Sequence, residues 1–173
     1  RGSEGGVGGW RRAAAGQPLP LHRPGRCAWR DVDGHRPGAA IHYAKLCREA
    51  GILKSLDGGG LRTNTHELLE FIDVAIVAER LCEQMDLTPE KMLDYLKTRG
   101  CRVGGITQGE RGLLWYDETG AVHTLPALPI PRARVLDTNG AGDGVHGAYV
   151  YSYLSNPAYS WHDHFAFARA AST

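Results

Sequence analysis

Beyond the first 30 residues, the hydrophobic and polar positions switch repeatedly between the spacing of helices and the spacing of strands. The segment 35–51 follows the helical pattern, with Pro37 at its start and Gly51 as a stop signal. The segments 52–57 and 74–77 read as short strands, and each runs into a helical segment. We expect strands of one mainly parallel sheet near Leu53, Ala75, Val103 and Val135. This alternation predicts a three-layer α/β fold with helices on both faces of the sheet.

Capping residues mark the starts of two further helices. Thr88 is a good N-cap, and Pro89 after it suits the first helical turn. Ser160 together with Asp163 resembles a capping box for the last helix. Between these two helices, the turn residues 118–120 separate two short apolar runs, which predicts a β-hairpin.

The composition of residues 1–30 differs from that of the rest of the chain. The 173 residues carry a formal net charge of +1, which points to no nucleic-acid partner. Six arginines, seven glycines and three prolines nevertheless fall in the first 30 residues, where Glu4 is the one acid. With no hydrophobic periodicity, this stretch reads as a disordered or non-native segment ahead of a domain at residues 31–173. An RNA-binding arm is the alternative, although Trp10 and Trp29 are its only aromatic side chains.

The sequence gives no sign of membrane insertion or disulfide bonding. It contains no run of about 18 apolar residues, and its start lacks the apolar core of a secretory signal. Four widely separated cysteines form no C-x-x-C pair: Cys27, Cys47, Cys82 and Cys101. Scattered thiols of this kind are typical of a reducing compartment, so we expect a cytoplasmic protein with no membrane partner.

The stretch DTNGAGD, residues 137–143, places glycines between two carboxylates directly before a helical segment. Three residues can turn their amide N–H groups towards one point: Gly140, Ala141 and Gly142. The helix N-terminus adds positive potential, which favours a phosphoryl group at that point. Asp143 can accept a proton from an attacking hydroxyl, and Asp137 can hold Mg²⁺ or a water bound to it. Taken alone, the loop is equally consistent with an ordinary tight turn and a capping aspartate.

Two other polar segments carry weaker signals. Residues 57–62 contain three consecutive glycines and read either as a flexible connection or as a second anion loop, from which Arg62 would approach a substrate phosphate. His162, Asp163 and His164 have the composition of a metal site, but adjacent positions on a helix do not share a face. We therefore expect helix capping and surface placement for these three residues.

The glycine loop resembles the second signature of the ribokinase, or PfkB, family of carbohydrate kinases. TQGERG, residues 107–112, resembles that family's nucleotide-binding strand and turn, and the similarity covers roughly residues 32–173. The resemblance implies a ribokinase-like fold and phosphorylation of a sugar hydroxyl with ATP and Mg²⁺ as cofactors. It also implies that Asp143 is the catalytic base and that the loop amides form the anion hole. Four residues would lie near the nucleotide: Thr107, Gly109, Gly112 and Thr138.

The chain departs from the family pattern after its VAIV strand. The family usually carries an Asn-x-x-Glu motif there, which organises Mg²⁺ and phosphate, but Ala78 stands where the asparagine is expected. Glu79 or Glu83 would then take the motif's place at the metal. The alternative is that both carboxylates lie on a solvated helix face.

The resemblance also indicates which parts of the family domain lie outside the matched region. In the family, the sugar pocket precedes the matched region and the segment that closes over adenine follows it. We therefore expect an incomplete fold, a truncated kinase, and self-association or a homodimer formed through an exposed sheet edge. The alternative is a catalytically inactive remnant that binds nucleotide weakly or serves as an interaction module. The sugar itself is not specified by the matched residues.

Overall fold

The computed structural model describes residues 29–31, 37–131, 133, 135 and 138–172. Most of the predicted segment 1–30 therefore lies outside the described residues. Trp29 and Arg30 are described, and they belong to the first strand of the sheet.

One six-stranded sheet has its strands in chain order. The strands are β1 (Trp29–Asp31), β2 (Leu53–Gly58), β3 (Val74–Ala78), β4 (Val103–Thr107), β5 (Leu113–Tyr116) and β6 (Val122–Leu125). Strands β1 to β4 are parallel, whereas β5 and β6 form the predicted antiparallel hairpin. The mainly parallel sheet is confirmed, but the strand expected near Val135 is wrong. Val135 lies in no strand, and its side chain is 44% exposed, because the proline-rich crossing before it forms no ladder.

Helices cover both faces of the sheet, as predicted. They are α1 (Pro37–Glu49), α2 (Thr65–Leu69), α3 (Glu79–Gln84), α4 (Pro89–Thr98), α5 (Ala141–Ser155) and α6 (Trp161–Ala171). One hydrophobic core unites α1 to α4 with one face and includes Leu56, Leu81 and Ile106. A second core packs α5 and α6 on the other face around Trp115 and Phe165. None of the helices described is long and apolar enough to cross a bilayer.

The predicted helix caps are present. Thr88 Oγ1 accepts a hydrogen bond from Lys91 N at 3.3 Å, and Ser160 and Asp163 form the reciprocal capping box. The expected surface placement is wrong for His164, which is only 1% exposed. Its Nδ1 lies 2.9 Å from Ser152 Oγ because this position of α6 faces α5 rather than solvent.

The strand register places four strand ends at one side of the sheet. Ala78 at the end of β3 pairs with Thr107 at the end of β4, and Gly58 pairs with Val77. Two antiparallel pairings separate β6 from β4, so β6 runs in the same direction and also ends here, at Leu125. We call this side the carboxyl edge. In parallel α/β sheets it is the side where ligands bind.

Candidate active site

Two contacts place the start of α5 at the carboxyl edge. Arg169 Nη1 of α6 donates a hydrogen bond to the carbonyl of Pro126, the residue that follows β6, at 3.0 Å. The end of α6 therefore lies at this edge. Gly144 in the first turn of α5 faces Ser172, since a Cβ atom on Gly144 would lie 3.6 Å from that of Ser172. The predicted anion loop at residues 140–142 and the adjoining Asp143 accordingly lie at the carboxyl edge.

The glycine loop has the backbone geometry of an anion nest. Gly140 is left-handed, with φ of 80°, and the residues after it are right-handed helical. This succession turns successive N–H groups towards the same side. Gly140 has no side chain with which to cap α5, so the N-cap residue leaves the first-turn amides of the helix uncapped. A Cβ on Gly142 would meet no atom within 4 Å, which shows that space is open at this position.

Asp143 is an exposed carboxylate in the first turn of α5. An exposed carboxylate beside the first-turn amides of a helix can accept a proton from a group held at those amides. The structure therefore brings the predicted base and the predicted anion hole together. Thr138 is exposed just before them, and its carbonyl accepts a hydrogen bond from Ala141 N at 3.2 Å.

The turn after β4 lies at the same edge and includes three predicted nucleotide contacts. Thr107 is half-buried, and its Oγ1 lies 3.5 Å from the carbonyl of Val77 on β3. Gly109 is exposed in open space. Gly112 has φ of 93°, and a Cβ there would lie 2.1 Å from the carbonyl oxygen of Leu125. Only glycine fits this position, because the turn packs directly against the backbone at the end of β6.

The predicted metal ligands are less well supported by the geometry. Glu79 begins α3 directly after β3, but its carboxylate forms an ion pair with the guanidinium of Arg111. The hydrogen bond from Arg111 to the Glu79 carboxylate, together with the negative charge of Glu79, raises the pKa of Arg111. Glu83 is exposed, and Asp137 lies outside the described residues. Among the residues that the structure does describe, no three His, Cys, Asp or Glu side chains are grouped to hold a metal.

In the glycine-rich connection at residues 57–62, two backbone amides are hydrogen-bonded to side chains of the protein itself. Leu61 N donates a hydrogen bond to Gln84 Oε1 at 2.6 Å, and Arg62 N donates one to Thr65 Oγ1 at 2.8 Å. These two amides are therefore already occupied and do not contribute to a second anion nest. The Arg62 side chain is exposed, so it stays a candidate for contact with a substrate phosphate.

Sequence reasoning missed a buried polar cluster between β2 and α5. It consists of Ser55, His146 and Tyr149, whose exposures are 0%, 4% and 0%. Ser55 Oγ lies 3.1 Å from His146 Nε2 and is also hydrogen-bonded to the Tyr149 hydroxyl. One signal was available, because two polar residues three positions apart share one face of the helix that follows Asp143. Their partner on β2 was not evident from the sequence.

Comparisons with known proteins agree with this architecture. The profile of a family described as "pfkB family carbohydrate kinase" matches residues 44–173. Ribokinase of Lactococcus lactis is 29% identical over 124 residues, which cover 70% of this chain and 38% of the ribokinase. Aminoimidazole riboside kinase of Salmonella enterica superposes with a TM-score of 0.68 at 25% identity, over 89% of this chain and 56% of that one.

A ribokinase of Arabidopsis thaliana, solved in complex with ribose and ATP, superposes with a TM-score of 0.65 at 26% identity. The match covers 79% of this chain and 45% of that one. The chain thus spans between 38% and 56% of the length of these three relatives.

Proposed function

Because the chain belongs to the pfkB family of carbohydrate kinases, we propose that it supplies the nucleotide and catalytic part of an ATP-dependent sugar kinase. The observation that carries this proposal is the open N-terminus of α5 at the carboxyl edge. There a left-handed Gly140 and uncapped amides adjoin the exposed Asp143. A ribokinase relative was solved with ribose and ATP, which supports the same two classes of ligand for this chain.

The reaction assigned to this site is transfer of the γ-phosphoryl group of ATP to a sugar hydroxyl. Asp143 takes the hydroxyl proton while the sugar oxygen forms its bond to the γ-phosphorus. The bond between that phosphorus and the bridging oxygen of ADP breaks, and ADP leaves with the electron pair. The amides of Gly140 and Gly142 stabilise the negative charge on the transferred group, because they are already oriented and need no rearrangement. The amide of Ala141 already donates to the carbonyl of Thr138 and holds the turn.

The turn after β4 would hold the nucleotide beside the glycine loop. In this proposal Thr107, Gly109 and Thr138 contact the phosphates or ribose of ATP, since they lie at the carboxyl edge or in the glycine loop. Gly112 acts differently, because it is half-buried and packs the turn against β6. Arg62, exposed after β2, would contact the substrate.

In this proposal a magnesium ion enters with the nucleotide, since the described residues do not group three ligands that would hold it alone. Mg²⁺ keeps several of its waters in proteins and needs only one or two carboxylates besides the phosphates. Asp137 and Glu83 would supply these carboxylates, and Glu79 would do so only after leaving Arg111. When bound, the ion neutralises charge on the ATP phosphates.

We also propose that the chain self-associates through the β1 edge. Among the residues that the structure describes, β1 pairs with β2 alone, so its other side presents unpaired backbone groups. Light scattering after size-exclusion chromatography should show a mass above that of the monomer. A monomer at every concentration tested would rule this association out.

The function is tested by titrating the chain with ATP in a calorimeter and then assaying ADP release with ribose and ribosides. These acceptors come first because the relatives named above are a ribokinase and an aminoimidazole riboside kinase. Saturable ATP binding with sugar-dependent ADP release supports the kinase. Binding without release from any sugar would make the chain a nucleotide-binding remnant, and absence of both would overturn the proposal.

A further inference from the structure

The helix that carries Asp143 is joined to the sheet by polar groups where the surrounding contacts are apolar. Ser55 on β2 pairs with Val74 of β3, so the two side chains lie on the same face, which is otherwise lined by the second core. On that face Ser55 contacts His146 and Tyr149 of α5. The Tyr149 hydroxyl also lies 3.2 Å from His146 Nδ1, so each of the three side chains contacts the other two.

Hydrogen bonds restrict this interface more than apolar packing would. Burial of apolar surface is non-directional, whereas a hydrogen bond weakens steeply when its angle departs from linearity. A buried hydroxyl or imidazole that loses its partner also destabilises the fold, because it is left without a hydrogen bond away from water. Three such groups at one contact therefore resist both sliding of α5 along β2 and rotation of α5 about its own axis.

Rotation of α5 matters because His146 lies only one turn beyond Asp143. At the helix surface, about 5 Å from the axis, a rotation of about 20° moves a side chain by about 2 Å. A misplacement of about 1 Å in a reacting group can lower a rate by about 10²-fold. The amides of the glycine loop belong to the same helix start and would move together with Asp143.

We propose that Ser55, His146 and Tyr149 are positioning residues that fix the rotation of α5 and thereby aim Asp143 and its neighbouring amides at the phosphoryl group. This inference rests on the proposed kinase function. It gives these three buried residues, which lie away from the carboxyl edge, an effect on catalysis in addition to their effect on stability.

The same helix contains a matched control. Ser152 Oγ lies 2.9 Å from His164 Nδ1, so it too is a buried serine bonded to a buried histidine. That contact joins α5 to α6 instead of β2, and Ser152 is nine residues beyond Asp143. Ser55→Ala and Ser152→Ala therefore remove the same chemical group at comparable burial.

The experiment compares the two variants with the parental chain by hydrogen–deuterium exchange, thermal unfolding and ATP calorimetry. We expect both variants to lose thermal stability, because each leaves one histidine without its serine, and Ser55→Ala should lose somewhat more because the Tyr149 hydroxyl also loses that partner. Only Ser55→Ala should speed amide exchange in residues 141–147, by about tenfold, and weaken ATP binding. In a polypeptide that turns over, Ser55→Ala should lower kcat by about 10–10²-fold with little change in the KM for sugar.

Tyr149→Phe serves as the second variant in case Ser55→Ala does not fold, since it removes one hydroxyl and keeps the ring. Equal exchange and equal ATP affinity in the Ser55→Ala and Ser152→Ala chains would overturn the positioning role while leaving the kinase proposal intact. If the parental chain neither binds ATP nor turns over, the proposed function fails, and this inference fails with it.

Discussion

Helices α5 and α6 pack against each other and each carries an aspartate at its third position, yet they begin in opposite ways. In α6, Ser160 Oγ accepts a hydrogen bond from Asp163 N, and Asp163 Oδ2 accepts one from Ser160 N, both at 3.2 Å. In α5, Gly140 occupies the position of the serine, and Asp143 closes no such box with it. A start closed by its own side chains is structural, whereas an open start leaves its N–H groups and its dipole to a ligand.

The largest expected difference between the two aspartates is in turnover. In a polypeptide that includes the sugar-binding part of the family domain, Asp143→Asn should lower sugar-dependent ADP release by about 10²–10⁴-fold. A sugar hydroxyl is a very weak acid, and an amide of the same size cannot take its proton. ATP affinity should stay close to the parental value, because the loop amides are unchanged.

Asp163→Asn is the control for this experiment. It changes the same residue type at the same helical position, but the Asp163 carboxylate is hydrogen-bonded to Ser160 in the capping box. ADP release should therefore stay close to the parental rate. If Asp143→Asn also turns over at that rate, Asp143 is only a first-turn aspartate, and the open start of α5 has no catalytic base.

The second difference is in nucleotide affinity. Gly142→Val adds bulk in open space beside the amides of α5, where the phosphates are proposed to bind. Calorimetry should show ATP binding weakened by more than about tenfold, or about 1.4 kcal/mol. Asp163→Ala removes the α6 cap and should leave ATP binding unchanged. Equal affinities in the two variants would place the nucleotide away from the glycine loop.

The contrast between the two helix starts was largely visible in the sequence. Local patterns such as Ser160 with Asp163, or Thr88 before Pro89, specify a cap through residues three or fewer positions apart, and the structure contains both caps. The alternation of helix and strand likewise predicted the sheet. The strand expected near Val135 is absent at that residue, because the proline-rich residues before it form no ladder with a neighbouring strand.

Contacts between distant residues were not visible in the same way. Ser55 and His146 are 91 positions apart, and Glu79 and Arg111 are 32 apart. Neither pairing follows from local spacing, because each depends on which strands are neighbours and in what register. His164 was misplaced for a related reason, since its burial depends on how α6 faces α5. The sequence therefore predicted local features such as helix caps better than contacts between distant residues.

The third difference is in stability. Ser160→Ala removes the acceptor for Asp163 N and should lower the free energy of unfolding by about 1 kcal/mol, as is usual for a lost N-cap. Urea denaturation measures this change. ATP affinity should be unaffected, since the start of α6 binds no ligand in this scheme. A loss of ATP binding in Ser160→Ala would show that both helix starts contribute to the site and would remove the contrast between them.

The smallest expected effect is the pH dependence of the closed start. The hydrogen bonds from Ser160 lower the pKa of Asp163 in the folded chain. A carboxyl whose pKa is lowered on folding stabilises the fold above its unfolded pKa of about 3.9, and that contribution is lost as the pH falls towards the folded pKa. Between about pH 6 and about pH 3, the parental chain should therefore lose more stability than Asp163→Asn. Every other carboxylate titrates in both chains, so the difference between the two urea titrations isolates Asp163. Equal losses of stability would mean that the capping box is equally stable with the ionised and the protonated Asp163 carboxyl. Ser160 alone would then cap α6.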